Sequence, residues 1–337
     1  MANVKVLHTG MTECFDAHGS VTDCSNSGQD AAVGTGLFCS DPRFIAVSAG
    51  LVQDSLTGLF WSKDCSLVEY PLTWEDSFAL IEEMNREDRF GRSDWRLPNR
   101  REMRSLIDHS QKNPALPASN PFVNINLGWY WTSTTAARNA AYAWYVHLEG
   151  GRMFYGKKTD YCWIWPVAGK SSVLPQTGER NFNKEDESSR LFHLNSYNNL
   201  EFGVPWPHPR FRLKQDEVLD FLTGLVWQVG DIFDKRPLTW REGLEAAKSL
   251  AQRSGKPWRM PTINELESLV DASECDPALP LEHPFLTRPQ GYWSSTTSGF
   301  EKDWAYVLYM DKGAVGVGFK KTREFYLWPV MSSRGPR

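Results

Sequence analysis

The chain is one unit written twice. LTGLFW at Leu56–Trp61 returns as LTGLVW at Leu222–Trp227, and PLTW at Pro71–Trp74 returns at Pro237–Trp240. DWRLP (Asp94–Pro98) matches PWRMP (Pro257–Pro261), NPALPASNPF (Asn113–Phe122) matches DPALPLEHPF (Asp276–Phe285), and YWTSTT (Tyr130–Thr135) matches YWSSTT (Tyr292–Thr297). WPV closes both copies, at Trp165–Val167 and Trp328–Val330. The entries match too: Thr9-Gly10 with Thr177-Gly178, and Pro42-Arg43-Phe44 with Pro209-Arg210-Phe211. A period this long is not a solenoid, whose units run about 20–50 residues. It is a duplicated globular domain. The 337 residues divide into a first repeat with its leader, 1–168, and a second repeat, 169–337. Each is long enough to build its own core.

The duplication also sorts the aromatic residues, which include 15 Trp, 11 Tyr and 18 Phe. Trp61, Trp74, Trp95, Trp131, Trp144 and Trp165 are matched with Trp227, Trp240, Trp258, Trp293, Trp304 and Trp328. Side chains kept in both copies are read as core, because large rings dominate core burial. Trp129, Trp163 and Trp206 have no Trp partner and are free for other work.

Each repeat carries two helix signals. Thr73 with Asp76, and Thr239 with Glu242, open the first; Asn99 with Glu102, and Thr262 with Glu265, open the second, all in the capping-box arrangement. Trp74, Phe78 and Ile81, and in the copy Trp240, Leu244 and Ala247, fall on one face at helical spacing. Met103, Leu106 and Ile107 match Leu266, Leu269 and Val270 in the second helix. A Pro-rich loop then leads to short aromatic strands: WYWTST, AYAWYVHL, GRMFYG and YCWIWPV. Strand, helix, helix, loop and strands in this order make an α+β domain rather than an alternating β–α chain.

Lys+Arg of 37 against Asp+Glu of 41 leaves a net charge of −4, which argues against a general nucleic-acid binder. No apolar run is long enough to span a bilayer, and MANVKVLHTG has no apolar signal-peptide core. No phosphate loop, H-E-x-x-H or G-x-S-x-G is present, and no C-x-x-C supports a zinc ribbon. No cofactor or metal is expected. Arg96, matched by Arg259, reads as a buried residue holding the WRLP turn, and the Ser/Thr run at 133–135 as strand-edge hydrogen bonding. His147 reads as structural or superficial.

The ordered series V-x-D-x-x-TGLxW, T-W, WR(L/M)P-x-x-x-E, YW(S/T)STT and terminal WPV resembles the C-terminal domain family of the Legionella collagen-like adhesin. It covers Val52–Val167 and Val218–Val330. The resemblance implies a C-type lectin-like fold in each repeat: terminal strands paired beside each other, two flanking helices and a long loop feeding a display face. It also implies glycan binding, and it carries no catalytic set. The calcium motifs of C-type lectins, Glu-Pro-Asn or Gln-Pro-Asp followed by Trp-Asn-Asp, are missing.

The expected function is non-enzymatic recognition of a glycan or another surface macromolecule, with an extracellular or cell-surface location; the cytoplasm is the alternative. The other function reading is a structural or interaction subunit of a filament, phage or surface assembly, with possible self-assembly. An enzyme on a related fold would need a Cys pair or a His cluster facing a pocket. The candidate ligand surface joins Arg138, Arg152, Tyr155, Lys157, Lys158 and Trp163 to Lys312, Phe319, Lys320, Lys321, Arg323 and Tyr326, with Lys157-Lys158 matched to Lys320-Lys321. Cations beside aromatic faces suit a sulfated or acidic glycan; the alternative is a solvated hairpin whose lysines blunt an edge strand. Given the lectin-like placement of the terminal strands, Cys65 and Cys162 form one candidate disulfide, and Cys14 with Cys24 a second. The alternative for all six cysteines is the free thiol usual in the cytosol.

Overall fold

The structure is a computed structural model and describes residues 4–39, 41–179, 202–229, 236–286 and 291–333. The leader holds β1 (Cys14–Phe15), β2 (Val21–Thr22) and a single helical turn, α1 (Asp30–Val33). The first unit follows with β3 (Phe44–Ala46), β4 (Leu51–Asp54), β5 (Phe60–Ser62), α2 (Trp74–Arg86), α3 (Arg100–Ser105), β6 (Trp129–Thr135), β7 (Tyr142–His147), β8 (Met153–Lys157) and β9 (Val167–Ala168). The second unit repeats this order: β10 (Phe211–Lys214), β11 (Glu217–Asp220), β12 (Leu225–Gln228), α4 (Trp240–Ser254), α5 (Ile263–Ser268), β13 (Gly291–Thr297), β14 (Trp304–Tyr309), β15 (Ala314–Phe319) and β16 (Val330–Ser332). The chain is thus two tandem α+β units, rich in sheet and sparing in helix.

Each repeated motif has a local cause. In D-x-x-TG, the buried Asp54 accepts from the backbone N–H of Leu56, from Thr57 Oγ1 and from two nitrogens of Arg43, which also reaches the Ser105 carbonyl. Asp220 does the same with Leu222, Thr223 and Arg210, and Arg210 reaches Ser268. Gly58 and Gly224 close these turns at φ 77° and 73°, a conformation that favours glycine. The WRLP arginine is a buried fork: Arg96 binds both oxygens of Glu102 at 2.6 and 2.7 Å. Arg259 grips Glu265 likewise. Both glutamates also cap their helices in the predicted capping boxes. Six of the indoles are Trp rather than Phe because their N–H groups are used, whereas those of Trp61, Trp144 and Trp227 are buried without a partner. Trp131 and Trp293 donate to Leu72 and Leu238, Trp165 and Trp328 to Ser62 and Gln228, and Trp74 and Trp240 to Thr132 and Ser294.

Terminal strands pair antiparallel in each unit, β5 with β9 and β12 with β16, closing four-stranded sheets β3-β4-β5-β9 and β10-β11-β12-β16. The late strands of both units fuse into one six-stranded sheet, β13-β14-β15-β8-β7-β6. At the join, Met153 lies opposite Val315. These two residues hold the same place in their repeats, facing Val146 and Leu308, so a pseudo-two-fold axis runs between them. The core is continuous across the join: one cluster contains Trp61, Trp165, Met103 and Met153 together with Trp227, Trp328, Leu266 and Val315. Two satellite clusters lie under α2 and α4.

The leaders tie the units further. Leader residues Val4 and Leu7 bond to Leu222 and Asn264 of the second unit, and Asp30 accepts from Thr296 Oγ1 at 2.6 Å. The second leader reaches back: Glu179 accepts from the Thr135 N–H at 2.8 Å, and the Phe202 ring lies 3.8 Å from the Arg96 guanidinium carbon. The division at 168 therefore separates the sequence repeats but not two independent bodies.

Three sequence expectations change. YCWIWPV is not one strand: Cys162 bridges to Leu72, Trp163 to Tyr130, and only Val167–Ala168 is ladder, because Pro166 has no N–H to donate. The strand register also pairs Tyr142 with Lys157 and Trp304 with Phe319. Trp304 hence replaces Tyr142, and the buried Trp144 answers to Tyr306. By the same register Lys158, not Lys157, answers to Lys320. Lastly, Cys65 and Cys162 are free buried thiols. Cys65 takes its backbone partner from Val123 and sits in the shared core, whereas Cys162 is pinned to Leu72 in the cluster under α2. Burial pushes both thiols up, Cys162 to about 12. The Cys14–Cys24 disulfide is formed, closing the β1–β2 hairpin of the leader.

Candidate ligand-binding surface

The twelve residues singled out from sequence do not converge. In the first unit Arg138 pairs with Asp276 at 2.6 Å across the join. Tyr155 stands edge-on to Tyr142 and Trp144. Arg152 is partly exposed, its carbonyl accepting from the His147 N–H. Lys157 is exposed, and Trp163 is half-buried outside β6 against Gly128. Lys158 lies 3.9 Å over the Trp74 ring and donates to Thr135. Burial lowers its pKa.

In the second unit Lys320 is fully enclosed. It donates to Thr297 Oγ1 and to the carbonyls of Lys302 and Asp16, stands over Trp240, and is pushed down to about 7 by burial. It fastens the leader and is closed to any ligand. Tyr326, the counterpart of Trp163, is buried against Tyr292. Arg323 is paired with Glu242, Lys321 meets His18 at 2.8 Å, Phe319 packs on Trp304, and Lys312 stands 5.1 Å over Tyr309.

What the strands do bring together is a row of rings on one sheet face. Trp129 lies 4.3 Å from Tyr145, 4.5 Å from His147 and 6.3 Å from Phe154, and Phe154 lies 6.2 Å from Tyr309 across the join. All five are partly exposed. The pleat explains the row: Trp129 is opposite His147, and Tyr145 is opposite Phe154, so alternate residues of three strands share a face. Arg152, two residues before Phe154, and Lys312 supply positive charge at its ends. The sequence signal for this row was Trp129, a tryptophan without a partner in the copy.

The second unit does not repeat the row. Where the first has Trp129, Tyr145 and Phe154, the register places Gly291, Val307 and Gly316. A Cβ at Gly291 or Gly318 would run into the Phe325 ring, which fills that space. Phe325 stands where the first unit has Cys162, since these residues bridge to the matching Leu238 and Leu72.

Among the described residues no group of three His, Cys, Asp or Glu side chains is placed to hold a metal ion, and no helix is long and apolar enough to cross a membrane. A search of curated proteins finds no match. The family described as the Lcl C-terminal domain matches residues 50–168 and again 216–331. With most of both repeats matched, the chain belongs to the Lcl C-terminal domain family.

Proposed function

We propose that the protein is a non-enzymatic binding protein of the surface or extracellular type, built from two C-type lectin-like units, that recognises a glycan chain. The row of rings from Trp129 to Tyr309 carries this reading. Partly exposed aromatic faces stack on the C–H faces of sugars, and the row crosses from one unit to the other. Arg152 and Lys312 at its ends favour an acidic glycan, with electrostatic attraction that salt weakens. Antiparallel terminal strands and two helices in each unit support the lectin-like reading.

A glycan array with the whole chain tests it. Phe154→Ala with Tyr309→Ala should weaken any hit at least tenfold, and Arg152→Ala with Lys312→Ala should flatten its salt dependence. An array without hits, or hits that ignore all four substitutions, overturns it. The second reading, a subunit of an assembly, draws on the outer strands β3 and β10. Among the described residues nothing pairs with their outer edges, and Ile45, Val47 and Leu213 are exposed there. Native mass measurement distinguishes it by a defined oligomer.

A further inference from the structure

We infer that the cavity on the pseudo-two-fold axis, on the helix side of the shared sheet, is a binding site for a short branched aliphatic carboxylate. The cavity is about 70 Å³ and lies where α3, α5 and both leaders meet. That is room for about five water-sized groups. Its walls are mainly aliphatic: Val4, Val6 and Leu7 from one leader, Leu174 and Pro175 from the other, and Ile107 after α3.

The polar groups in the wall are nearly all spent on each other. Ser105, Ser268, Thr223 and Asn264 donate to Glu102, Glu265, Asp220 and Leu7. The Glu267 carboxylate is matched by Arg104, which binds it through Nε and Nη2. His8 accepts from the Gly10 N–H through Nδ1 and stacks on Phe38 at 3.8 Å. Two cations remain. Arg101 donates only to main-chain carbonyls, Glu267 at 3.3 Å and Val270 at 2.7 Å, which leaves further Nη hydrogens of its guanidinium unused. Lys5 is exposed, with no ion pair among the described residues. An aliphatic chamber with an unspent guanidinium donor and a lysine suits one carboxylate with a small apolar tail. The aromatic row plays no part in this site.

The test uses the full chain and 3-methylbutanoate as probe, with 3-methylbutanamide as its uncharged match. Calorimetry should show one saturable site per chain for the carboxylate and binding at least tenfold weaker for the amide, since a charge-assisted hydrogen bond is lost. Arg101→Met should abolish the preference for the carboxylate, and Lys5→Ala, at an exposed position, should weaken it severalfold. Val6→Phe should block both probes. Phe154→Ala should leave binding unchanged, which separates this site from the aromatic row. No heat at about 10 mM carboxylate, well above the affinity expected for so small a ligand, overturns the inference. So does equal binding of acid and amide to the unmodified protein, a result that needs no variant to fold.

Discussion

The two units solve the same packing problem with the bulk in opposite places. In the first, the strand position at the sheet's end is Trp129 and the returning segment brings the small Cys162. In the second, the strand position is Gly291 and the returning segment brings Phe325. Volume is conserved while its source moves, which is how cores tolerate change at native density. The surface consequence is unequal. Trp129 leaves its neighbours Tyr145 and Phe154 partly open, while Phe325 roofs the glycine-lined second face. A duplicated domain has thus kept its core and diverged in what it presents, and only the first unit supplies most of the ring row.

The comparison is broken most forcefully at the shared tryptophans. Trp61 and Trp227 are both fully buried and meet Trp165 and Trp328 at the same 5.5 Å. Trp61→Ala should cost about 3–5 kcal/mol, and Trp227→Ala a similar amount. Because one core cluster spans both units, urea unfolding should stay a single transition in either variant. Two separated transitions by fluorescence and circular dichroism would show that the units are independent.

The axis itself comes next. Arg104 and Glu267 join α3 to α5, and Arg104 also approaches Nε2 of His109, whose Nδ1 faces the Thr9 carbonyl. The pair is asymmetric, since Glu267 occupies Arg104's place in the second repeat. Glu267→Gln strands a buried guanidinium and should cost about 3 kcal/mol. An unchanged urea midpoint would mean the helices are held by apolar contact alone.

The third test concerns the leader. Asp30 is buried beneath Thr9 and Thr296, and desolvation raises its pKa from the ordinary 3.8 to about 6. The folded protein therefore binds a proton that the unfolded chain has released between these values. Stability from this group is full below about pH 4 and declines as pH rises through 6, by about 2–3 kcal/mol in all. Asp30→Asn should flatten that slope. Hydrogen exchange at the leader amides, compared at either end of the window, reads it.

The smallest effect tests the volume trade directly. Trp129→Gly and Cys162→Phe, made singly, should each destabilise. Together they should cost about 1 kcal/mol less than the sum, the coupling expected of residues in contact. Additive losses would mean that the two sites do not share space.

Much of this was legible in the sequence for a physical reason. Capping boxes, the turn aspartates and the WRLP fork are local, so Asn99 with Glu102 or Arg96 with its turn announced themselves within a few residues. The pairing of β8 with β15 is not local, and no motif marks Met153 as the partner of Val315. Lys320 was misplaced because exposure was inferred from charge. Lys320 spends its charge on the leader's carbonyls, and a one-residue slip in matching Lys157 to Lys320 hid the equivalence with Lys158. The Cys65–Cys162 expectation assumed that chain ends near paired strands stay together, but Val123 draws one away and Leu72 holds the other.

The crossing leaders set an order for biogenesis. Residues 4–33 leave the ribosome more than 250 residues before the surface they settle on, Thr296 and Lys320. For most of synthesis the first repeat exists without its neighbour, its β8 edge unpaired and its leader undocked. Domains ordinarily fold in the order they emerge; here an earlier segment waits for a later one. A chain truncated before Thr296 would lack the Asp30 latch.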